Sequence, residues 1–222
     1  MSSQSWKPVA PEGAFWESLD PSISSPVANS LSAVELNHLN AEPTLSNPAK
    51  LELLEKTLSQ KLLSLENTVK PSSLHEKDYA TWQSLNSALF HVHRGTGDVE
   101  KQEKILLELV NHPGPSGQDL PALQNLARLY EEKNEYAKAE KLARETLPLL
   151  QAHPVLGKDS PQSLGSLRIL IKALWKQGKT GEAENLIQEA NGSIEKLAGT
   201  QFSAYQQEEK EVLSKIVGEL KN

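Results

Sequence analysis

Apolar residues recur at spacings of three and four along most of this chain, which is the period of an amphipathic α-helix. The clearest stripe consists of five leucines: Leu51, Leu54, Leu58, Leu62 and Leu65. Asn47-Pro48 precedes this stripe and Pro71 follows it, so the pattern predicts a helix between the two prolines. No alternating strand pattern competes with the helical period anywhere, and the sequence therefore predicts an all-α protein.

Similar stripes predict the helices that follow. One is expected over residues 75–94, ending at Gly95-Thr96-Gly97-Asp98, and another over residues 99–111. After a loop at His112-Pro113-Gly114-Pro115, two helical hairpins are expected. Their helices are predicted at 119–133 with 135–151, and at 161–177 with 180–197. A last amphipathic helix over 202–220 has the polar outer face that the end of a stacked helical array requires.

The first 48 residues follow a different pattern, because six of the 13 prolines fall there among many serines. Proline fixes φ and lacks a backbone donor, so this segment cannot form one long helix. We interpret residues 1–48 as a Pro/Ser-rich N-terminal arm and residues 49–222 as a helical-repeat domain. Within the arm, a turn or two of helix is expected over residues 29–40, with Leu31, Val34 and Leu39 on its apolar side.

Two stretches, residues 116–150 and 160–194, repeat each other at a spacing of 44 residues. Nine positions are identical between them, and in the first copy these are Ser116, Gln118, Leu120, Leu123, Leu126, Ala139, Glu140, Leu142 and Glu145. A fixed period of this size is typical of stacked helical units, none of which can bury its apolar face alone. The repeat predicts a groove rather than a catalytic pocket.

The first copy resembles the tetratricopeptide repeats of the kinesin light chain type. The resemblance rests on Leu123, Leu126, Ala127 and Tyr130, followed by Tyr136-Ala137 and Ala139-Glu140. Ala127 stands where that family places a small residue so that the second helix can approach closely. The linker at 155–161 is also similar, with Ser160 at the position of the family's usual histidine. The second copy departs from the family, because Ile171 replaces Ala127 and Thr180-Gly181 replaces Tyr136-Ala137.

The resemblance implies a right-handed solenoid of α-α hairpins with extra N-terminal helices and a C-terminal capping helix. The clear repeats would span 119–151 and 161–197, a degenerate repeat would span 75–111, and the cap would span 202–221. It also implies a non-catalytic adaptor or scaffold that binds a peptide or protein segment in its concave groove.

The groove residues follow from the family, in which exposed side chains of each first helix select the ligand. By resemblance these are Gln124, Asn125, Arg128 and Glu132 in one unit, and Arg168, Ile169, Lys172 and Lys176 in the next. Arg128, Arg168 and Lys172 would form a basic strip suited to a carboxylate-bearing peptide. Ordinary solvated helix charges are the alternative. Trp175 is added as a ligand anchor, with packing against the terminal helix as its alternative.

An aromatic pair followed by acidic residues, Phe15-Trp16-Glu17-Ser18-Leu19-Asp20, lies within the predicted arm. It is loosely similar to the tryptophan-acidic peptides that kinesin-light-chain-type grooves bind. We hypothesise that Phe15, Trp16 and Glu17 dock on the basic strip of the same chain or of a neighbouring molecule, because two large apolar groups would otherwise be in water. The alternative is that the aromatic rings simply pack on the helices.

Motifs for catalysis and cofactors do not emerge from the sequence. The chain has no cysteine, so it has neither disulfides nor thiolate metal sites. His91 and His93 are two residues apart, which sends them to different faces of a helix, and no carboxylate completes a metal site. Neither a nucleophile elbow nor a phosphate-binding loop is found. No catalytic residue, metal or cofactor is therefore predicted.

The net charge of −6 argues against nucleic-acid binding, which needs a basic face. No apolar run approaches the ~20 residues of a membrane span, and the first residues do not resemble a secretion signal. We expect a soluble cytoplasmic protein whose partner is a protein or an acidic peptide, and neither nucleic acid nor a membrane. Self-association through the ends of the array is a further reading.

The main alternative is a small-molecule-binding protein or an unconventional enzyme, with a pocket between the N-terminal arm and the helices. Its basis is a group of residues gathered on one predicted helix: Tyr79, Trp82, Phe90, His91 and His93. A deep pocket lined by these residues would favour this alternative. An open groove with Arg128, Arg168 and Lys172 exposed would favour the adaptor.

Overall fold

Helix is the only regular secondary structure that the computed structural model contains over the residues it describes, 9–221. The chain forms two compact units, Met1–Gly117 and Gln118–Asn222. The described part of the first unit contains α1 (Pro21–Asn29), α2 (Ala33–Asn40), α3 (Asn47–Val69), α4 (Leu74–Lys77), α5 (Tyr79–Thr96) and α6 (Val99–Asn111). That of the second contains α7 (Leu120–Glu132), α8 (Tyr136–Ala152), α9 (Pro161–Lys176), α10 (Thr180–Lys196) and α11 (Gln206–Lys221), with short 3-10 turns at Leu197–Gly199 and Ser203–Tyr205.

Local capping chemistry sets many of the helix starts. Four helices begin at an Asp or Ser whose side chain accepts a hydrogen bond of 2.9 to 3.2 Å from a backbone N–H of the first turn. These caps are Asp78 of α5, Asp98 of α6, Asp119 of α7 and Ser160 of α9. Such caps satisfy donors that have no partner within the helix. The cap at Asp78 also explains why the helix predicted over 75–94 is divided into α4 and α5.

The segment predicted as an arm folds into the first unit from residue 9 onward; its first eight residues lie outside the described part of the chain. Helices α1 and α2 both fall within it, and Ile23, Val27 and Leu39 are buried in the core. Short helices are marginal alone, so this burial against neighbouring helices stabilises them despite the prolines. Val34, expected on the apolar side of α2, is 78% exposed.

The core of the first unit joins this N-terminal segment to α3 and α5. Its buried members are Phe15, Trp16, Leu19, Ile23, Val27, Leu39, Leu51, Leu54, Leu58, Leu85, Ala88, Leu89 and Val92. The leucine stripe of α3 therefore packs as its period predicts. The boundary expected at residue 48, between the arm and the helical-repeat domain, lies in the first turn of α3 and inside this unit.

The backbone of the second unit keeps the 44-residue spacing. Helices α8 and α10 begin at Tyr136 and Thr180, 44 residues apart, and end at Ala152 and Lys196, also 44 apart. Helices α7 and α9 end at Glu132 and Lys176. All eight predicted ends of these hairpin helices lie within one residue of the observed ends.

The turn inside each hairpin also repeats. Asn134 (φ 60°) and Gly178 (φ 76°) both adopt the left-handed conformation. The next N–H in each turn closes the helix end, because Glu135 N donates to Tyr130 O at 2.8 Å and Lys179 N donates to Leu174 O at 3.0 Å. The two hairpin turns are therefore equivalent in both conformation and hydrogen bonding.

The apolar positions shared by the two copies form the interior of the second unit. Leu123, Leu126 and Ala139 are buried, and so are their counterparts Leu167, Leu170 and Ala183. Ile171, which takes the place of Ala127, is fully buried. Helix α7 packs on α8 and α9, α8 also packs on α9, and α9 packs on α10 and α11. Helix α11 begins four residues later than predicted, after the second 3-10 turn.

Candidate binding surface on α7, α9 and α11

Helix α9 is the central helix of the surface that the sequence predicts to bind a ligand. It contacts both α7 and α11. Arg168, Lys172 and Trp175 occur at spacings of four and three on α9, so they share one helix face. We call this set, together with Gln124, Asn125, Arg128 and Glu131 of α7 and Glu209 of α11, the α7/α9/α11 surface.

Gln124 joins α7 to α9. Its Nε2 donates to Gln162 O at 2.7 Å and to Ser166 Oγ at 3.1 Å. Gly165 makes this approach feasible, because a Cβ at that position would lie 2.8 Å from Gln124 Nε2. The amide group of Gln124 is therefore engaged in holding two helices together.

Arg168 joins α9 to α11 through an ion pair with Glu209. The two side chains are largely buried, with 17% and 8% of their surfaces exposed. Burial raises the pKa of Glu209, and the Arg168 guanidinium opposes that increase. Because Arg168 lies 44 residues after Gln124, the same repeat position links each first helix to the next helix along the surface.

Lys172 forms the remaining link, an ion pair with Glu131 of α7. The Lys172 side chain is 35% exposed and that of Glu131 is 11% exposed. Arg168 and Lys172 of the predicted basic strip are therefore paired with carboxylates of the same unit. The surface has mixed charge, and the strip is not an open row of positive groups.

The other predicted groove residues differ in accessibility. Arg128 is exposed, and Asn125 and Trp175 are half-buried. Glu132 and Lys176 are also exposed, whereas Ile169 is buried and belongs to the interior. Gln124, Arg168 and Lys172 thus each form a direct contact with a neighbouring helix. Long-range ion pairs such as Arg168 with Glu209 have no signal in a single sequence, and they were missed for that reason.

The aromatic pair of the N-terminal segment occupies the core of the first unit. Phe15 and Trp16 are 0% and 1% exposed, and their rings form an edge-to-face pair with centroids 5.0 Å apart. Glu17 between Trp16 and Ser18 is exposed. Since neither ring is in water in this conformation, the hypothesis that they dock on the basic strip loses its motivation. Removing this segment would remove part of the core.

The residues behind the small-molecule alternative separate into two groups on α5. Trp82 and His93 line one cleft in the first unit, whereas Tyr79, Phe90 and His91 are not among its lining residues. The arm borders another cavity of about 560 Å³, between residues 29–32, α3 and α5, and none of the five residues lines it. The expected position of the pocket, between the arm and the helices, therefore differs from the position of Trp82 and His93.

Two further findings concern the described residues as a whole. Over residues 9–221, no three His, Asp or Glu side chains are grouped closely enough to hold a metal ion. Within the same range, every helix is too short or too polar to cross a membrane.

Comparisons with known proteins do not assign a function to this surface. No protein-family model matches the chain, and no curated protein or solved structure matches it.

Proposed function

We propose that the second unit is a short tetratricopeptide-like array of α-α hairpins that binds an extended protein segment across the α7/α9/α11 surface. The observation that carries this proposal is the shared role of Gln124 and Arg168. They occupy the same repeat position, and each links its own helix to the next one along the surface. A row of equivalent helices is the arrangement on which helical repeats build extended binding surfaces.

The backbone supports the same reading. Helix ends and hairpin turns recur at 44 residues, and the helix-closing hydrogen bonds recur with them. The replacement of Ala127 by Ile171 is accommodated inside the unit, because Ile171 is fully buried. The second copy therefore keeps the hairpin in spite of its departures from the family sequence.

The accessible side chains suit a peptide that is only moderately acidic. Asn125 offers an amide that can both donate and accept, as a peptide backbone requires. Arg128 is exposed, and because a guanidinium has five N–H donors it can bind a peptide carboxylate in addition to the contact that it already makes within the protein. Glu131 and Glu209 already compensate Lys172 and Arg168, so a run of several acidic residues would meet repulsion here. We expect a segment with one carboxylate and an apolar residue that reaches Trp175.

A photo-crosslinking amino acid at position 125 tests this surface in the full chain. The matched control places the same amino acid at position 141, which is exposed on α8. We expect one protein to be crosslinked from position 125 and not from position 141, with mass spectrometry locating the attached segment. Identical products from both positions would contradict the proposal.

A synthetic peptide of the crosslinked segment then gives the affinity by calorimetry. Arg128→Ala should weaken its binding about tenfold, which corresponds to the loss of about 1.4 kcal/mol. Lys141→Ala, which removes a cation from α8, should leave the affinity unchanged. Arg168→Ala is unsuitable because it would leave Glu209 buried without its partner. Equal affinity for the wild type and Arg128→Ala would show that the segment binds elsewhere.

A further inference from the structure

Three helices of the first unit enclose a cleft of about 440 Å³. Each helix contributes a stripe at helical spacing. The stripes are Glu55, Ser59 and Leu62 on α3; Trp82, Asn86, Leu89 and His93 on α5; and Lys101, Lys104, Ile105 and Glu108 on α6. We call it the α3/α5/α6 cleft. Its size falls within the range of small-molecule sites, about 300–1,000 Å³.

The wall from α5 combines apolar surface with two polar groups that carry no charge near neutral pH. Trp82 and Leu89 are 6% and 5% exposed. The Asn86 side chain donates to Trp82 O at 2.9 Å, which uses one of its amide hydrogens. Burial lowers the pKa of His93, so its imidazole is neutral at pH 7. Nearby Glu55 and Asp98 oppose this decrease in the His93 pKa, and Lys101 adds to it.

The hydrogen-bonding capacity of the His93 side chain is not fully used. The residue is 4% exposed, and its Nδ1 has no hydrogen-bond partner among residues 9–221. The nearest carboxylate oxygen, Glu55 Oε2, is 4.0 Å away, which is too far for a hydrogen bond. Buried polar groups in native proteins are normally hydrogen-bonded, and an exception beside a cleft calls for an explanation. A bound molecule that forms hydrogen bonds with the polar groups of this wall would explain this exception.

Charged residues of both signs line the cleft. Lys101 Nζ lies 2.8 Å from Glu55 Oε1 and 3.4 Å from Asp98 Oδ2. Lys104 and Glu108 lie one turn apart on α6, both exposed. Two ammonium groups and two carboxylates thus line the cleft, and the lining has no net charge. A charged ligand would therefore meet charges of both signs, so that attraction to one is opposed by repulsion from the other.

The Trp82 ring is held in place by neighbouring rings. The ring centroids of His75, Tyr79 and His112 lie 5.6, 5.7 and 5.8 Å from that of Trp82. The loop after α6 packs closely on this group, because a Cβ at Gly114 would lie 2.3 Å from Tyr79 Cε1. A ring held on several sides is pre-organised for stacking against a planar ligand.

We propose that the α3/α5/α6 cleft binds a neutral, flat, largely apolar small molecule that carries one hydrogen-bonding group, such as an aromatic alcohol. The apolar body stacks on Trp82 beside Leu62 and Ile105, and the polar group meets Asn86 and His93. All the residues of this site lie in the first unit, so the inference does not depend on the function proposed for the second.

Three probes of nearly the same shape test the ligand class with the full-length protein. 2-Naphthol is neutral with a hydroxyl group, naphthalene lacks the hydroxyl, and 2-naphthoate is charged. In NMR titrations we expect saturable shifts of amides on α3, α5 and α6 and of the His93 ring nitrogens with 2-naphthol. Naphthalene should bind about tenfold more weakly, the effect of one lost hydrogen bond. 2-Naphthoate should be weaker still.

Variants that fill the cleft test its position. Ser59→Phe, on α3, places a ring in the cleft and should weaken 2-naphthol binding by at least about tenfold. Asn67→Phe is the matched control, because Asn67 is exposed on the same helix and does not line the cleft. Lys104→Trp fills the cleft from α6, so it provides a second test if Ser59→Phe fails to fold.

Several results would overturn the proposal. They are the absence of saturable shifts with 2-naphthol, shifts confined to other helices, tighter binding of 2-naphthoate than of 2-naphthol, and equal affinity in Ser59→Phe, Lys104→Trp and the wild type.

Discussion

Burial of a single imidazole gives the first unit a specific dependence on pH. Burial and, to a smaller extent, the nearby Arg94 guanidinium lower the pKa of His91 from 6.5 to about 4. Its Nδ1 has no hydrogen-bond partner within the described part of the chain. The unfolded chain therefore binds a proton at His91 between about pH 6.5 and pH 4, where the folded protein does not. Stability is highest above this window and decreases as the pH falls through it.

Replacement of this side chain should remove that contribution. We expect wild-type stability to fall between pH 7 and pH 5 by roughly 2 kcal/mol more than the stability of His91→Gln. Urea unfolding at each pH measures the difference. His38→Gln, at an exposed position on α2, is the control for the substitution itself. His93 remains in both proteins, so the variant keeps some pH dependence. If the free energies of unfolding of the wild type and His91→Gln changed equally with pH, His91 would not be the source of the pH dependence.

At the scale of single residues, the sequence shows which residues are unusual but not which contacts they form in the fold. Phe15 and Trp16 stand out in a proline-rich segment, yet their burial depends on α3 and α5, which lie far along the chain. Likewise, Trp82 and His93 share a stripe with Asn86 and Leu89 that helical spacing reveals. The walls from α3 and α6 that turn the stripe into a cleft depend on tertiary packing, which one sequence does not encode in any local pattern.

At the scale of elements, the conformation of each hairpin turn depends on a single residue. Asn134 and Gly178 occupy equivalent left-handed positions. An alanine there would be strained, because its Cβ crowds the backbone at positive φ. We expect Gly178→Ala to reduce the free energy of unfolding by about 1 kcal/mol, measured by denaturant titration.

The matched control is Gly181→Ala, three residues later in the first turn of α10. A Cβ at Gly181 would meet no atom within 4 Å. Alanine has the higher helix propensity, so this change should be neutral or stabilising by about 0.5 kcal/mol. A loss of stability at Gly181 equal to that at Gly178 would show that the conformation of the turn is not the cause.

Helices were the most predictable part of this fold. The 3.6-residue period, the capping residues and the Gly or Pro stops placed the hairpin helices within one residue. In two places where the prediction differed, a competing interaction explains the difference. Asp78 caps a new helix inside the predicted 75–94 segment, and tertiary burial of Ile23 and Val27 stabilises helix in a segment whose composition favours extended chain.

For the whole molecule, the division at Gly117 implies that each unit carries its own core. We expect residues 118–222 expressed alone to be helical by circular dichroism and to unfold in one cooperative thermal transition. A fragment of residues 136–222 is the control. It lacks α7, which packs on α8 and α9, and should lose cooperativity. A broad, non-cooperative transition for residues 118–222 would mean that Gly117 does not separate folding units.

The positions of the tryptophans give the chain its own optical labels. In the first unit, Trp16 and Trp82 are 1% and 6% exposed. Trp175, the only tryptophan of residues 118–222, is half-buried on α9. Indoles shielded from water emit at shorter wavelengths than indoles in contact with it. In a Trp6→Phe variant, the short-wavelength side of the emission spectrum therefore reports on one unit and the long-wavelength side on the other, without any added dye.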